Sequence, residues 1–377
     1  MVVEHPENVK GIGLARRHTS IPVVRTRQAR AVAGTGGRSV DVLFTCVGRR
    51  VCLVEAFQRA GRGLRIRSRV LGTDTSPLLS PALQSCDLGF LVVPTRHRDY
   101  VGQLLSIVKT HRVRLVVPTV DLDLGVLAEN RGRFELLGCR VLVSDPNVVR
   151  ICQDKRKTYR FLIRHGFDSP LTVSPRRLLA EPRGPRPSHP WVLKPWDGYA
   201  SLNNVLVRNR HELAFFAGRV PHAICQPYVR GTEYTCDVYV DFHGKVRTVV
   251  PRRRIEVRAG EVSKAQVVKD RRIMEAVEAL VTTLGAGPGV ITVQLIVTTE
   301  GRITFIEINP RFGGGAPLSI QAGADFPRWL FQEVLGREPR IAADGFEDGL
   351  VMLRYDSQVW LDSSDATGAA LDLPARR

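Results

Sequence analysis

Three short segments in the second half of the chain carry residue types and spacings that a phosphoryl-transfer site requires. The first is Lys194, at the end of the apolar run Trp191-Val192-Leu193 and followed by Asp197-Gly198-Tyr199-Ala200-Ser201. A lysine emerging from such a strand sets its ammonium on a phosphate as a point charge, and a glycine-containing hairpin closes over a nucleotide with its backbone amides. A solvated strand-end lysine is the alternative. The second segment runs from Cys225 and Gln226 through Pro227, Tyr228 and Val229 to Glu233. Its extended backbone offers an edge to an adenine, Pro227 marks a free edge or a connection because it has no amide to donate, and Glu233 is placed to accept from ribose hydroxyls. Here the alternative is a solvated glutamate.

The third segment says most. Residues 289–297 and 303–309 are apolar runs joined by a turn at Glu300-Gly301, which makes them a hairpin. Alternation puts Glu307 and Asn309 on one face of the second strand, with Gln294 within reach on the first. All three offer hard oxygen ligands, as magnesium held between protein and nucleotide phosphates prefers. A carboxylate and an amide in the middle of an apolar strand are costly to bury without a cation or hydrogen bonds.

Elements must position these groups. From Asp41 onward, short apolar runs at 41–47, 69–74, 88–94, 114–119 and 140–144 alternate with helical stretches such as 99–110 and 122–134. That alternation predicts a doubly wound parallel sheet, with ligand-facing residues at the carboxyl ends of its strands. The first strand-to-helix turn, Thr45 to Arg50, lacks the GxGxxG spacing, so its single glycine either closes the turn or serves a substrate anion, and it gives no NAD site. Asp121 and Asp123 read as N-caps of the next helix. Residues 146–166 predict one or two helices ending at Gly166, residues 174–190 a loop, and residues 350–355 and 358–361 late strands. Residues 1–38, with seven basic and two acidic side chains and no sustained period, predict a disordered extension.

The composition, 44% hydrophobic and 24% charged over 377 residues, is that of a globular chain with more than one core. No window approaches the roughly 20 apolar residues of a membrane span, and a cytoplasmic location is expected. Seven cysteines without a CxxC pair predict free thiols, with neither zinc nor a disulfide framework. The net charge of +18 raises nucleic acid as a partner, but the basic residues are nearly all arginine and no basic run is interleaved with aromatics. An anionic small substrate fits the charge equally well.

In their order these segments resemble the ATP-grasp superfamily, and the Glu-x-Asn-Pro-Arg string from Glu307 to Arg311 resembles its carbamoyl-phosphate-synthase-type branch. The resemblance spans residues 40–357. It implies an α/β chain in which a pre-ATP-grasp doubly wound parallel sheet (39–146) precedes an α+β ATP-grasp fold (147–336) whose two subdomains clasp ATP. The flap subdomain would cover about 168–225, and C-terminal strands with a loose tail would occupy 337–377. By the same resemblance Lys194, and Lys155 on the preceding helix, contact nucleotide phosphates, and Gly198 and Ser201 belong to the covering loop. Gln226, Tyr228 and Val229 match the adenine linker and Glu233 the ribose carboxylate. Gln294, Glu307 and Asn309 would hold Mg2+ or Mn2+, with Glu307 bridging two ions, and Arg311 would steady the transferred phosphate. Arg258 and Lys264 are further candidates for the anionic substrate, with solvated strand positions as the alternative.

The implied activity is ATP- and magnesium-dependent ligation of a carboxylate to an amine or a thiol through an acyl phosphate. Two rivals stay open: a bicarbonate-activating carboxylase or carbamoyl-phosphate-synthase-like enzyme, and a non-catalytic nucleotide-binding protein. The expected partners are small-molecule carboxylates and amines, with a homodimer allowed and no membrane or nucleic acid. Two departures from the family stand out: a single glycine in the covering loop, and Phe312-Gly313-Gly314-Gly315 where relatives carry serines. Only one ATP-grasp unit is present, which argues against a complete carbamoyl-phosphate synthase.

Overall fold

The computed structural model describes residues 21–24, 39–182, 184–186, 189–198, 202–258 and 260–361. Apolar β-branched runs build the first sheet: β1 (Val23–Val24), β2 (Asp41–Thr45), β3 (Val70–Asp74), β4 (Leu88–Leu91), β5 (Val113–Pro118) and β6 (Arg140–Val141). The order is β1-β4-β3-β2-β5-β6, and all but β1 run parallel. A parallel sheet needs both faces covered. Helices α1 (Val51–Gly63) and α2 (Pro81–Ser85) close one face around Phe44 and Phe57, and α3 (Tyr100–His111) and α4 (Leu124–Glu135) close the other around Leu43, Leu104 and Leu127. The strand order reverses between β2 and β5, so the crevice beyond their carboxyl ends is the switch point where such sheets bind ligands.

Two helices follow, α5 (Pro146–Cys152) and α6 (Lys155–Arg164), each started by an aspartate whose side chain caps it, Asp145 and Asp154. Gly166, at φ +76°, ends the pair as expected. Next come α7 (Pro175–Ala180) and a small antiparallel sheet of β7 (Trp191–Pro195), β8 (Val205–Val207) and β9 (Ala223–Pro227), with α8 (Arg210–Ala217) packed on it. The large sheet contains β10 (Gly231–Val240), β11 (Val246–Arg258), β12 (Glu261–Val267), β13 (Gly289–Thr298), β14 (Ile303–Asn309) and β15 (Val351–Leu353) in the order β14-β13-β10-β11-β12-β15. One of its faces packs on α5, α6 and α9 (Arg271–Leu284) through Cys236, Val238, Val293 and Ile308. The other carries the polar residues described below. Helices α10 (Ala316–Gln321) and α11 (Phe326–Val334) return to α1, where Phe57 meets Phe312 and Phe331 at 6.0 and 5.8 Å. The core around Phe57 thus joins both halves of the chain.

Three expectations are corrected. Val23 and Val24, inside the presumed extension, pair with Phe90 and Gly89, because an apolar dipeptide satisfies the open edge of β4. Residues 175–180, read as loop, form α7 because Ser174 caps the Arg177 amide and Pro175 sits at the first turn. Residues 358–361 form no strand, and Val359 and Trp360 stand exposed instead of packing on the sheet. Residues 1–20, 25–38 and 362–377 lie outside the described residues. No helix among the described residues is long and apolar enough to cross a membrane.

Candidate active site

The hairpin β13–β14 turns at Gly301, φ +81°, a backbone region that glycine enters without strain. Its register sets Gln294 opposite Glu307 and Thr292 opposite Asn309, so all four share one face. The rows continue across the sheet: Gln294 faces Thr235 on β10, and Thr235 faces Arg252 on β11. This face floors a cleft of about 430 Å3. Glu307, Asn309, Gln294 and Glu233 line one end, Arg252 and Gly313 to Gly315 the other, and Arg50 and Asp121 close it from the first sheet. The Glu307 carboxylate has no hydrogen bond or ion pair among the described residues, whereas Asn309 is buried at 5% exposure.

The donor set fits magnesium. One carboxylate and two amide oxygens leave most of the coordination to phosphates and water, the arrangement that this small, reluctantly dehydrated ion favours. Among the described residues there is no cluster of three or more His, Cys, Asp or Glu, so the site offers no all-protein cage of those residues.

Lys194 lies on β7 opposite Ile224 and is 7% exposed. Burial pulls its pKa down to about 8, and the Lys155 ammonium adds to the fall, while Glu307 and Glu233 oppose it. These four charges therefore converge. Lys155 is latched to the loop after β7: its amide donates to the Trp196 carbonyl at 3.0 Å and its Nζ to the Gly198 carbonyl at 2.5 Å. The Arg156 guanidinium covers the Trp196 ring at 4.0 Å. Ser201, the other covering-loop candidate, is outside the described residues. Gln226 is buried and donates to Thr172 Oγ1 at 2.8 Å. The Tyr228 amide donates to the Pro190 carbonyl and its ring is half exposed, and Val229 follows in the connection to β10. Lys155, Lys194, Gln226, Tyr228 and Val229 border the small sheet and do not line the cleft itself. Glu233 does, and it is held by Arg254 at 3.1 Å.

On the wall toward the first sheet, Arg311 donates to Asp121 Oδ2 at 2.7 Å, and Arg50 pairs with Glu261 at 3.3 Å. Arg252 is fully buried, and its Nε and Nη2 donate to Asp237 at 2.8 and 3.0 Å. Arg258 and Lys264 are not in this cleft. Irregular pairing around Glu256 shifts the register there, and the Glu256 carboxylate collects both, Arg258 at 2.9 Å and Lys264 at 2.6 Å. Their places are taken by Arg252 and Arg254, two residues apart in Arg252-Arg253-Arg254. The available signal was alternation, which sends the first and third of a strand-borne triplet to the same face.

The aspartates after β5 are not side-chain caps. Asp121 serves Arg311, and Asp123 is fully buried, accepting from the Tyr100 hydroxyl at 3.0 Å. Burial raises the Asp123 carboxyl to about 6, and it raises the neighbouring Cys46 thiol as well. In the turn after β2, Gly48 donates its amide to Asp74 at 2.9 Å, and Arg50 is the residue that reaches the cleft.

Comparison with known proteins gives a family and a fold. Residues 152–315 match the family described as ATP-grasp domain, and residues 42–142 match the PylC-like, N-terminal domain. No curated protein matches the chain. Among solved structures, the biotin carboxylase domain dimer of 2-oxoglutarate carboxylase from Hydrogenobacter thermophilus, with MgADP, ADP and bicarbonate, is similar at a TM-score of 0.62 and 16% identity, over 82% of this chain and 73% of that one. Biotin carboxylase from Campylobacter jejuni gives 0.64 and 14%, over 82% and 74%. N5-carboxyaminoimidazole ribonucleotide synthetase from Thermotoga maritima gives 0.57 and 16%, over 81% and 77%. Identities of this size establish a shared fold, with the parallel sheet leading into the ATP-grasp domain, and leave the reaction to the residues.

Proposed function

We propose that this chain, an ATP-grasp protein with a PylC-like N-terminal domain, is an ATP- and magnesium-dependent ligase that activates a carboxylate as an acyl phosphate and passes the acyl group to an amine. The observation that carries the reading is the polar row Glu307–Gln294 beside Asn309, open to the cleft and facing the buried ammonium of Lys194. In this reading Lys194 and Lys155 hold the nucleotide phosphates. Gln226, Tyr228 and Val229 border the adenine, Glu233 meets the ribose, and Gly198 with Ser201 covers the phosphates. Magnesium, held by Glu307, Asn309 and Gln294, would neutralise the β- and γ-phosphates. Arg311, fixed by Asp121, steadies the transferred phosphoryl group.

The chain's contribution is positioning and electrostatics. A carboxylate oxygen of the acid attacks the γ-phosphorus and the bond to ADP breaks. The amine nitrogen then attacks the acyl carbon, phosphate leaves, and the nitrogen gives up a proton. The cleft of about 430 Å3 is shared by the metal, the phosphates and the acid, so the substrate panel below, and not its size, separates a larger acid from bicarbonate. The seven free thiols go with a cytoplasmic location, and the dimer named for the 2-oxoglutarate carboxylase domain supports a homodimer, which sedimentation tests.

The deciding experiment measures ADP and phosphate from Mg-ATP against panels of amino acids, small carboxylates and bicarbonate, with Glu307→Gln and Lys194→Ala alongside. Turnover that depends on an organic acid and is lost in both variants supports the ligase. Phosphate release with bicarbonate alone favours the carboxylase, and equal background in all three proteins sinks catalysis.

A further inference from the structure

We infer that the protein has a second ligand site, a pocket between α6 and the small sheet that takes a small phosphate ester and raises the affinity for ATP. The pocket, of about 370 Å3, opens between α6 and the β9 edge of that sheet. It shares no lining residue with the cleft, and among the described residues none of those proposed to hold the nucleotide lines it. The binding stands apart from the ligase reading, whereas the coupling to ATP rests on the nucleotide contacts of that reading.

The rim is cationic and the floor apolar. Helix α6 brings Arg156, Tyr159 and Arg160, and the chain just before β9 brings His222. No carboxylate of the described residues lines the pocket. Two that stand near are already taken. Asp154 is buried and accepts from Arg156 Nε and Nη2 at 3.0 and 2.8 Å, and Asp197 meets His222 Nδ1 at 2.8 Å. Arg156 is thereby fixed over the Trp196 ring at 4.0 Å, with Nη1 left to donate. Arg160 gives its Nε to the Arg156 carbonyl at 3.3 Å and pairs with no carboxylate among the described residues. Val173 and Ile224, both buried, and the half-buried Trp196 supply the apolar floor. Two guanidinium groups beside a phenol suit the three oxygens of a phosphate monoester, and the floor suits the carbon group on the fourth.

Three of the lining residues are joined to residues proposed to hold ATP. The Trp196 carbonyl accepts from the Lys155 amide at 3.0 Å, Thr172 Oγ1 accepts from Gln226 at 2.8 Å, and Ile224 pairs with Lys194 across β7 and β9. The lining also comes from two sides of one joint, α6 on one and the small sheet with its loops on the other. A ligand bridging them holds the arrangement in which the charges of Lys155, Lys194, Glu233 and Glu307 converge, so ATP meets a site already ordered. Such coupling is reciprocal, and ATP tightens the phosphate ester by the same factor.

The test is calorimetric titration of the full chain with phenyl phosphate, inorganic phosphate and benzoate, in wild type, Arg160→Glu and Lys194→Ala. The expected result is saturable binding of phenyl phosphate, at least roughly 10-fold tighter than either other ligand, lost in Arg160→Glu and kept in Lys194→Ala. With phenyl phosphate bound, the Kd for Mg-ATP should fall at least roughly 5-fold in wild type and stay unchanged in Arg160→Glu. No saturable binding below about 10 mM overturns the site. Binding that is lost in Lys194→Ala and kept in Arg160→Glu puts the ligand in the ATP site and overturns the inference as well. Benzoate as tight as phenyl phosphate overturns the choice of a phosphate, and an unchanged Kd for Mg-ATP overturns the coupling. Absence of turnover with every acid removes the ligase reading alone. Arg160→Gln, which drops the charge without reversing it, takes the place of Arg160→Glu should that variant fail to fold.

Discussion

Replacing Lys194 by methionine should make the nucleotide-free protein more stable and ruin its hold on ATP. The ammonium is nearly fully buried, and its pKa falls from 10.5 to about 8, with burial as the main cause. Below pH 8 it is charged in both the folded and unfolded chain, so the whole cost of burying it is present. Between about 8 and 10.5 the folded chain has released the proton while the unfolded chain still binds it, so stability rises with pH. The span corresponds to about 3 kcal/mol. Lys194→Met should therefore gain up to that amount at neutral pH, and the gain should shrink toward zero by pH 10.5. Urea unfolding followed by tryptophan fluorescence at several pH values measures it. Repeating the series with Mg-ATP should stabilise only the wild type, because a ligand stabilises in proportion to its affinity for the folded state. A variant less stable than wild type at neutral pH, or a difference that does not vary with pH, would show that Glu307 or solvent fully compensates the ammonium, and the argument from burial would fail.

Glu307→Gln should lower kcat on the order of 10^2- to 10^3-fold in phosphate-release assays while changing the melting temperature little, since its carboxylate makes no hydrogen bond or ion pair among the described residues and loses only its attraction to the Lys194 ammonium. Asp123→Asn should flatten the pH profile of stability. Its folded pKa is raised from 3.8 to about 6, so wild-type stability is fullest below 3.8 and declines as pH climbs through 6. The variant should be about 3 kcal/mol more stable at neutral pH by denaturant titration, and equal or lower stability there would refute the cause assigned. Arg252→Ala should cost about 3–5 kcal/mol by leaving Asp237 charged and buried, and pairing it with Asp237→Ala should recover part of the loss in a double-mutant cycle. Gly315→Val should be destabilising by about 1–3 kcal/mol in melting experiments, because the added carbons meet Arg252 and Val262.

What could be read from the chain and what could not divide along the range of the interaction. Gln294, Glu307 and Asn309 were legible because alternation and a turn fix their common face within one hairpin. The five parallel strands were legible for the same local reason, as apolar runs between helical stretches. Arg258 and Lys264 misled because bulges around Glu256 are invisible to a counting rule and turn the strand's later residues toward another partner. Asp121 looked like a cap because its true partner, Arg311, lies 190 residues away. Asp123 read as a cap as well, and only the packed turn after β2 shows it sealed beneath Tyr100 and Cys46. Val23 and Val24 carry no periodicity of their own and become a strand only because β4 offers an edge.

The pairs Arg50–Glu261 and Asp121–Arg311 each take one member from a loop of the parallel sheet and the other from the antiparallel half. Neither half by itself contains the walls that greet a substrate. The recognition surface is a seam, like a keyhole cut partly in the door and partly in the frame. Exchanging the first unit for that of a relative should alter which acid is accepted and should also remove the Asp121 that fixes Arg311, while the proposed nucleotide residues Lys194, Gln226 and Glu233 stay within the second unit.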